Sequence, residues 1–420
     1  MNFENILDSR RVLVGVTASV SIYKSLELIR MFQKAGATVR VVMSEEAKKF
    51  ISPLMFESVT GYTALHLDSE SWTNENNHIG FAKWGEVAVI APATANTIAK
   101  LANAIADNLL LQTMLASKAP KVIAPAANTA MIEHPITKAN LKMLSLCGYE
   151  TVEPCSKRLA CGDVGNGALA DVEDIFLASA RELLKDDFWR YRNVVVTGGG
   201  SIERIDDVRY IGNFSSGKMA DSLSVAAYIL GADVTLISSK THIKTTHIER
   251  IKFESQSELA EKLDKTIMSA KEPKRTKPTL IDQKQIEVLQ KPPYLFMASA
   301  VADFVPTHKT DGKIKKEQIG DDFCIQTKKS GDILASIQKE GIKTVGFKAE
   351  TDGESALQNA TLAMQKKGID AICLNVLGGD INFGSDENEV LFLADSFSRQ
   401  IDRGDKLKVA FEILELAKKL

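Results

Sequence analysis

The chain opens the same local pattern twice. Val12 to Ser19 (VLVGVTAS) is a β-branched run that closes in a small-residue turn, and a helical stretch carries it to AGATVRVVMS at Ala35 to Ser44. Val194 to Ser201 (VVVTGGGS) leads in the same way to LGADVTLISS at Leu230 to Ser239. Strand, tight turn, helix and strand form the mononucleotide-binding half-unit of a doubly wound sheet. The copies differ in the turn. Gly36 lies 24 residues after Val12 and Gly231 lies 37 after Val194, so the second copy carries 13 extra residues. They fall in IERIDDVRYIGNFSSGK, a polar, glycine-punctuated loop at the place where phosphates sit in such folds. Two nucleotide-type units with unequal loops predict two active sites on one chain.

Bulk properties agree. A chain of 420 residues, 45% hydrophobic and 25% charged, is long enough for two or three cores. A formal net charge of −2 gives no support to a nucleic-acid partner. The start, MNFENILDSRR, has no secretory apolar core, and no apolar run reaches the ~18 residues that a membrane helix needs. A cytoplasmic protein without a membrane partner is expected. The five cysteines form no CxxC pair, which speaks against a disulfide framework or a zinc knuckle.

In the first half, apolar strands alternate with helical stretches: VLVGV, VRVVM, Val87 to Ala91 and Val122 to Ala124. The alternation predicts an α/β fold with a mostly parallel sheet whose ligands bind at the carboxyl ends of the strands. The residues just past those ends are Thr17, Ser19, Ser44, the run Pro92 to Asn96 with Ala93 and Thr94, and Pro125 to Asn128. Small hydroxyl and amide groups beside helix starts suit a phosphate and a flat heterocycle, and equally suit helix capping. Neither glycine turn supplies the GxGxxG of a dinucleotide site, so a single-phosphate ligand such as FMN fits better.

Specific motifs narrow this further. His78 to Trp84 (HIGFAKW), APATANTIAK at Ala91 to Lys100, PAAN at Pro125 to Asn128 and ACGDVGNG at Ala160 to Gly167 resemble the flavin-dependent phosphopantothenoylcysteine decarboxylases. In the second half, VTGGGSIERIDDVRYIGNFSSGKM, ASAVADF at Ala298 to Phe304, KIKK at Lys313 to Lys316 and VGFKAET at Val345 to Thr351 resemble the phosphopantothenoylcysteine synthetases. The order of motifs over nearly the whole chain is similar to that of the bacterial bifunctional coenzyme A biosynthesis family.

That resemblance implies two Rossmann-like domains: a flavodoxin-like, FMN-binding decarboxylase domain over residues 1–188 and a CTP-dependent ligase domain over residues 189–420. It implies 4'-phosphopantothenate, cysteine, CTP, phosphopantothenoylcysteine and Mg²⁺ as partners, and a homo-oligomer of trimeric first domains and dimeric second domains. In the first domain FMN oxidises the substrate thiol, carbon dioxide leaves, and the reduced cofactor returns the electrons. His78 is then the acid/base or orienting residue, Asn128 holds the substrate carboxylate or amide, and Cys161 is the proton donor. Thr17, Ser19, Ser44, Ala93, Thr94 and Asn96 contact FMN. In the second domain an acyl-cytidylate forms and the cysteine amine attacks it. Asn213 contacts the acyl group, and Arg209 holds phosphate or helps the second step. Lys313, Lys315 and Lys316 face the triphosphate, Asp303 contacts nucleotide or metal, and Phe347 packs beside the cytosine. The resemblance implies no specific metal ligand.

Taken alone, these residues have ordinary readings too: a core histidine or phenylalanine, an N-cap at Ser215 to Gly217, a solvated lysine face. The glycine-dense stretch around Cys161 reads as a mobile flap. The chain departs from the family pattern at Ala18, Ala127 and Ala168, where glycine, methionine and arginine are common. A single-activity ligase with a non-decarboxylating flavoprotein domain is the alternative within the enzyme class, and a non-catalytic flavin-binding regulator is the alternative outside it. The domain junction is expected near Asp186 to Asn193, and residues 271–291, rich in proline and basic side chains, read as a surface insertion.

Overall fold

A computed structural model describes residues 1–158, 164–276, 279–280, 288–315, 323–350, 353–376 and 384–420. The chain divides into two compact units. One comprises Phe3–Lys185 and Arg275–Glu287, the other Met1–Asn2, Asp186–Lys274 and Val288–Leu420. The 271–291 stretch is thus split between them, and part of it lies outside the described residues.

The first unit is built on five parallel strands: β1 (Arg11–Val16), β2 (Thr38–Met43), β3 (Val87–Ala93), β4 (Lys121–Pro125) and β5 (Tyr149–Thr151), in the order β2-β1-β3-β4-β5. Their near-continuous apolar character follows from burial on both faces. Leu13, Val42, Ile90 and Ile123 pack with Leu110, Met114 and Leu144 from the covering helices. This is the flavodoxin-like strand order. A separate antiparallel pair joins β6 (Cys155–Arg158) and β7 (Val164–Ala168), and residues 159–163 lie outside the described residues.

In the second unit, β8 (Asn193–Gly198) leads into a short antiparallel pair, β9 (Glu203–Arg204) and β10 (Tyr210–Ile211). Strands β11 (Asp233–Ser238) and β12 (Glu249–Ile251) follow, then a ribbon of β13 (Lys274–Arg275) and β14 (Val288–Leu289), then β15 (Tyr294–Met297). A further ribbon pairs β16 (Phe304–Pro306) with β17 (Thr327–Lys329). The main sheet is completed by β18 (Lys343–Glu350), β19 (Ala371–Val376), β20 (Glu387–Ala394) and β21 (Ser398–Asp405). Its order is β12-β11-β8-β15-β18-β19-β20-β21, with β20 alone running antiparallel to the rest. The helix Gln256–Ala270 shows why such segments dock: Leu259, Leu263, Ile267 and Ala270 recur at helical spacing and are all buried against the sheet.

The sequence reads as strands over Leu295 to Ala302, over Thr344 to Gly346 with Phe347 after it, and over Val390 to Ala394 as the last, and the structure corrects all three. The strand read as Leu295 to Ala302 ends at Met297, because the next residues leave the sheet and Ala300 bridges to Gly200. Phe347, read as lying beyond a strand, sits inside β18 opposite Cys373. The strand read as the last, Val390 to Ala394, is β20, and β21 follows it. Only Ile401 of β21 is well buried, so an edge strand of polar residues gives no alternation to read.

Candidate active sites

In the first sheet β1 lies between β2 and β3, so strand order reverses between β1 and β3 and a crevice opens at their carboxyl ends. Thr17, just past β1, spans it. Its Oγ1 donates to the Pro92 carbonyl at 2.7 Å and accepts from the Thr94 N–H at 3.1 Å. Thr94 caps the helix Ala95–Ala102 by accepting from the Thr97 N–H at 3.3 Å. Ser19 caps the turn Val20–Tyr23 through the Ser21 N–H. Capping is therefore real for two of the expected FMN residues, Ser19 and Thr94. Ser44, past β2, and Asn96, exposed in the first turn of its helix, carry no side-chain hydrogen bond among the described residues. Free hydroxyl and amide groups beside a helix N-terminus and two strand ends form a donor set that fits a flavin and its phosphate.

His78 is the first residue of the helix His78–Trp84, which Asn77 caps by accepting from the Ile79 and Gly80 N–H groups at 3.1 and 2.9 Å. The far end of this short helix is held by Arg40, whose guanidinium stacks on Trp84 at 4.7 Å and Phe81 at 5.5 Å. His78 Nδ1 lies 3.5 Å from Glu70 Oε1, and the Trp72 ring meets the imidazole edge-on at 5.5 Å. Both side chains of the His78 and Glu70 pair are about one-fifth exposed, at 22% and 23%. Sequence reasoning missed Glu70, since nothing in an isolated glutamate marks a histidine eight positions on.

Asn128 caps the helix Thr129–Glu133 by accepting from the Ala130 N–H at 2.9 Å. The β6–β7 pair that frames Cys161 lands on this same loop: the Ala127 N–H donates to the Gly167 carbonyl at 3.0 Å. A Cβ on Gly167 would come within 2.2 Å of the Ala127 carbonyl oxygen, so the approach requires glycine there. The structure thus joins Asn128 to the β6–β7 pair, while Cys161 itself lies outside the described residues.

The second sheet reverses between β8 and β15. Thr197 spans this switch point, its Oγ1 donating to Ser299 Oγ at 3.0 Å and accepting from the Ser299 N–H at 3.3 Å. The Gly-rich turn then pairs with the residues after β15: Ala300 N–H donates to the Gly199 carbonyl and Ser201 N–H to the Ala300 carbonyl. Asn213 is exposed at the same place, its Nδ2 donating to the Val301 carbonyl at 2.9 Å. Asp303 is exposed nearby in sequence, and its carbonyl accepts from the Ser330 N–H.

Arg209 donates from Nη1 to Asp206 Oδ2 at 3.0 Å, and its guanidinium faces the Phe323 ring. Lys313 and Lys315 are exposed on either side of half-buried Ile314, whose N–H reaches the same Asp206 Oδ2 at 3.2 Å. Lys316 lies outside the described residues. Burial on its own would raise the Asp206 carboxyl, but the N–H groups of Val208, Arg209 and Ile314 and the Arg209 charge outweigh it and hold it below the ordinary aspartate range. The helix Lys218–Ile229 starts behind Gly217, which has φ of 75° and supplies no side-chain cap; the Lys218 N–H donates to Ser216 Oγ at 3.4 Å. Among the described residues no cluster of three His, Cys, Asp or Glu is placed to hold a metal ion, and no helix is long and apolar enough to cross a membrane.

Two family models match the chain: Flavoprotein over residues 3–183, and DNA/pantothenate metabolism flavoprotein C-terminal domain over residues 189–272 and 280–420. The coenzyme A biosynthesis bifunctional protein CoaBC of Bacillus subtilis is 36% identical over 98% of this chain and 97% of its own length. The protein of the same name from Haemophilus influenzae is 33% identical over 97% of each chain. Among solved structures, the FMN-dependent cysteine decarboxylase SpaF is 32% identical with a TM-score of 0.37, covering 41% of this chain and 96% of that one. Matched along both halves and over almost its full length, the chain belongs to the bifunctional coenzyme A biosynthesis protein family, enzymes that join a decarboxylase to a ligase.

Proposed function

We propose that the crevice between β1 and β3 binds FMN and decarboxylates phosphopantothenoylcysteine, and that the crevice between β8 and β15 makes this compound from 4'-phosphopantothenate, cysteine and CTP. Residues 1–188 carry the first activity and 189–420 the second. The observation behind the assignment is that Thr17 and Thr94 meet at the ends of β1 and β3, while Asn213 meets the residues that follow β15.

Thr94, Ser44 and Asn96 present hydroxyl and amide groups to the cofactor, while Thr17, Ser19 and Ala93 shape the strand ends that seat it. FMN, when bound, supplies the two-electron chemistry that loss of carbon dioxide from a cysteine carboxylate requires. With Nδ1 beside Glu70, His78 keeps Nε2 for holding or moving a proton. Asn128 orients the substrate carboxylate or amide, and the Cys161 thiol returns a proton.

In the ligase half, the carboxylate of 4'-phosphopantothenate attacks the α-phosphorus of CTP, and the bond to the departing pyrophosphate breaks. The cysteine amine then attacks the acyl carbon, the acyl–phosphate bond breaks with CMP leaving, and a proton is lost from nitrogen. Lys313, Lys315 and Lys316, with Mg²⁺, neutralise the triphosphate, Arg209 holds phosphate or helps the second step, and the helix N-terminus behind Gly217 offers further N–H groups. Asn213 donates to the acyl oxygen, Asp303 contacts nucleotide or metal, and Phe347 lies against the cytosine. We place the enzyme in the cytoplasm as a homo-oligomer of trimeric first domains and dimeric second domains.

The test is one preparation assayed twice, for CTP-dependent pyrophosphate release and for carbon dioxide release. A flavin absorption spectrum should survive desalting or return on adding FMN. A colourless protein that refuses FMN removes the decarboxylase reading. A flavin-loaded protein that makes pyrophosphate but no carbon dioxide leaves the single-activity ligase in its place.

A further inference from the structure

We propose that Asp206 is a positioning residue of the ligase site: one buried carboxylate joins the Arg209 loop to the Lys313–Lys315 segment and sets the spacing of the cations that meet the triphosphate. The proposal rests on the ligase reading above and adds a residue to it.

Asp206 has no solvent exposure, and each of its oxygens accepts twice. One, Oδ1, takes the Val208 N–H at 2.8 Å and the Arg209 N–H at 2.6 Å, a local turn that shapes the loop. The other, Oδ2, takes Arg209 Nη1 at 3.0 Å and the Ile314 N–H at 3.2 Å, the latter from 108 positions away. All four lone-pair positions of an ionised carboxylate are therefore in use. Its neighbour adds a second stitch, Asp207 Oδ2 accepting from the Gly312 N–H at 3.0 Å. The Thr310 N–H also donates to the Ile205 carbonyl at 2.9 Å.

The lysine segment has no regular secondary structure, so its position depends on these stitches. Arg209, Lys313 and Lys315 carry like charges that repel, and a buried anion between their backbones offsets that repulsion. Only a carboxylate does this at the site, because both contacts at Oδ2 are donors. An asparagine would turn either an NH₂ group toward them or lose the turn at Oδ1.

The experiment uses the full chain. Asp206→Asn should raise the KM for CTP and slow acyl-cytidylate formation, a combined loss on the order of 10- to 100-fold for one or two charged hydrogen bonds. Carbon dioxide release from phosphopantothenoylcysteine should stay at the wild-type rate. Ile314→Pro deletes a single N–H to Oδ2 and leaves the aspartate and its turn in place. It should move the CTP parameters the same way by about tenfold, and it decides the matter if Asp206→Asn fails to fold. In the double variant with Lys313→Gln, Asp206→Asn should cost less than it does in the wild-type background, because part of its effect runs through that segment. Multiplying effects in the double variant, or unaltered CTP kinetics in a folded Asp206→Asn, overturn the proposal alone. A wild-type chain that releases no pyrophosphate from CTP overturns the ligase reading and takes this role with it.

Discussion

At the first switch point the chain passes from β1 to its next helical turn through Thr17, Ala18 and Ser19 alone; at the second it runs from Gly199 to Gly217 before the helix begins. The short passage leaves no slack. Its polar groups lie at strand ends and helix caps and are held by the frame itself, as Thr17 and Thr94 are. The long passage carries Arg209 and Asn213 on a loop, and their positions depend on stitches to distant segments: Val301 for Asn213, Asp206 and Ile314 for Arg209 and the lysines. A cofactor that stays bound suits the first arrangement. A triphosphate that must enter, react and leave as CMP and pyrophosphate suits the second.

If the two sites are independent in this way, a variant in one should leave the other untouched. The largest effect is expected from His78→Gln, which keeps a polar side chain but removes the titrating ring. Carbon dioxide release should fall by on the order of 10²- to 10⁴-fold, with FMN retained and CTP-dependent pyrophosphate release unchanged. Parallel loss of both activities in a folded variant would break the comparison.

A smaller effect separates the two kinds of close backbone approach. Gly217 has φ of 75°, and a Cβ there would lie 2.3 Å from the Lys240 carbonyl oxygen, whereas Gly167 has no positive φ and meets a clash alone, with the Ala127 carbonyl oxygen at 2.2 Å and the Asn128 and Thr129 backbone at 3.2 Å. Gly217→Ala therefore adds conformational strain to a clash and should cost about 2–3 kcal/mol, with a raised KM for CTP. Gly167→Ala should cost about 1–2 kcal/mol by moving the β6–β7 pair off the Asn128 loop, and should slow decarboxylation only. Denaturant unfolding of both variants, with the two assays alongside, ranks them. A larger cost at Gly167 would mean that the β6–β7 pair, not the loop, is the tighter fit.

The duplicated half-units were legible because buried parallel strands are written as β-branched runs and end in small residues. The site residues at those ends could be located from that pattern alone, and their chemistry came from the motifs. The glycines around Cys161 were legible as non-helical but read as freedom to move; at Gly167 the structural reason is room for a neighbouring carbonyl. What could not be read were pairs joined across sequence. Nothing local connects Asp206 with Ile314 or distinguishes Glu70 from other surface glutamates. The one available hint, an aspartate two and three residues before the N–H groups it accepts, predicts a turn and not a joint. The edge strand β21 was invisible for a different reason, since a strand exposed along most of its length has no apolar period.

The smallest effect is expected at Thr197, and it is read against Thr17, the threonine that spans the other switch point. Thr17 is 1% exposed and serves two main-chain groups, the Pro92 carbonyl and the Thr94 N–H. Thr17→Val keeps the shape and leaves both unpaired, at a cost of about 1–3 kcal/mol. Thr197 is fully buried, but apart from the Ser299 N–H its partners are a hydroxyl and a thioether, Ser299 Oγ at 3.0 Å and Met297 Sδ at 3.2 Å. A hydroxyl can rotate to another acceptor and a thioether sulfur is a weak acceptor, so Thr197→Val should cost under about 1 kcal/mol. Thr17→Ser, which restores the hydroxyl, should recover most of the first loss, and added FMN should stabilise it more than Thr17→Val. Hydrogen exchange at β3 and β15, measured with and without FMN, reads the two units separately. Equal losses at the two threonines would mean that the frame of the first site is no stiffer than that of the second, and the contrast between a rigid cofactor seat and a stitched triphosphate site would have to rest on the loops alone.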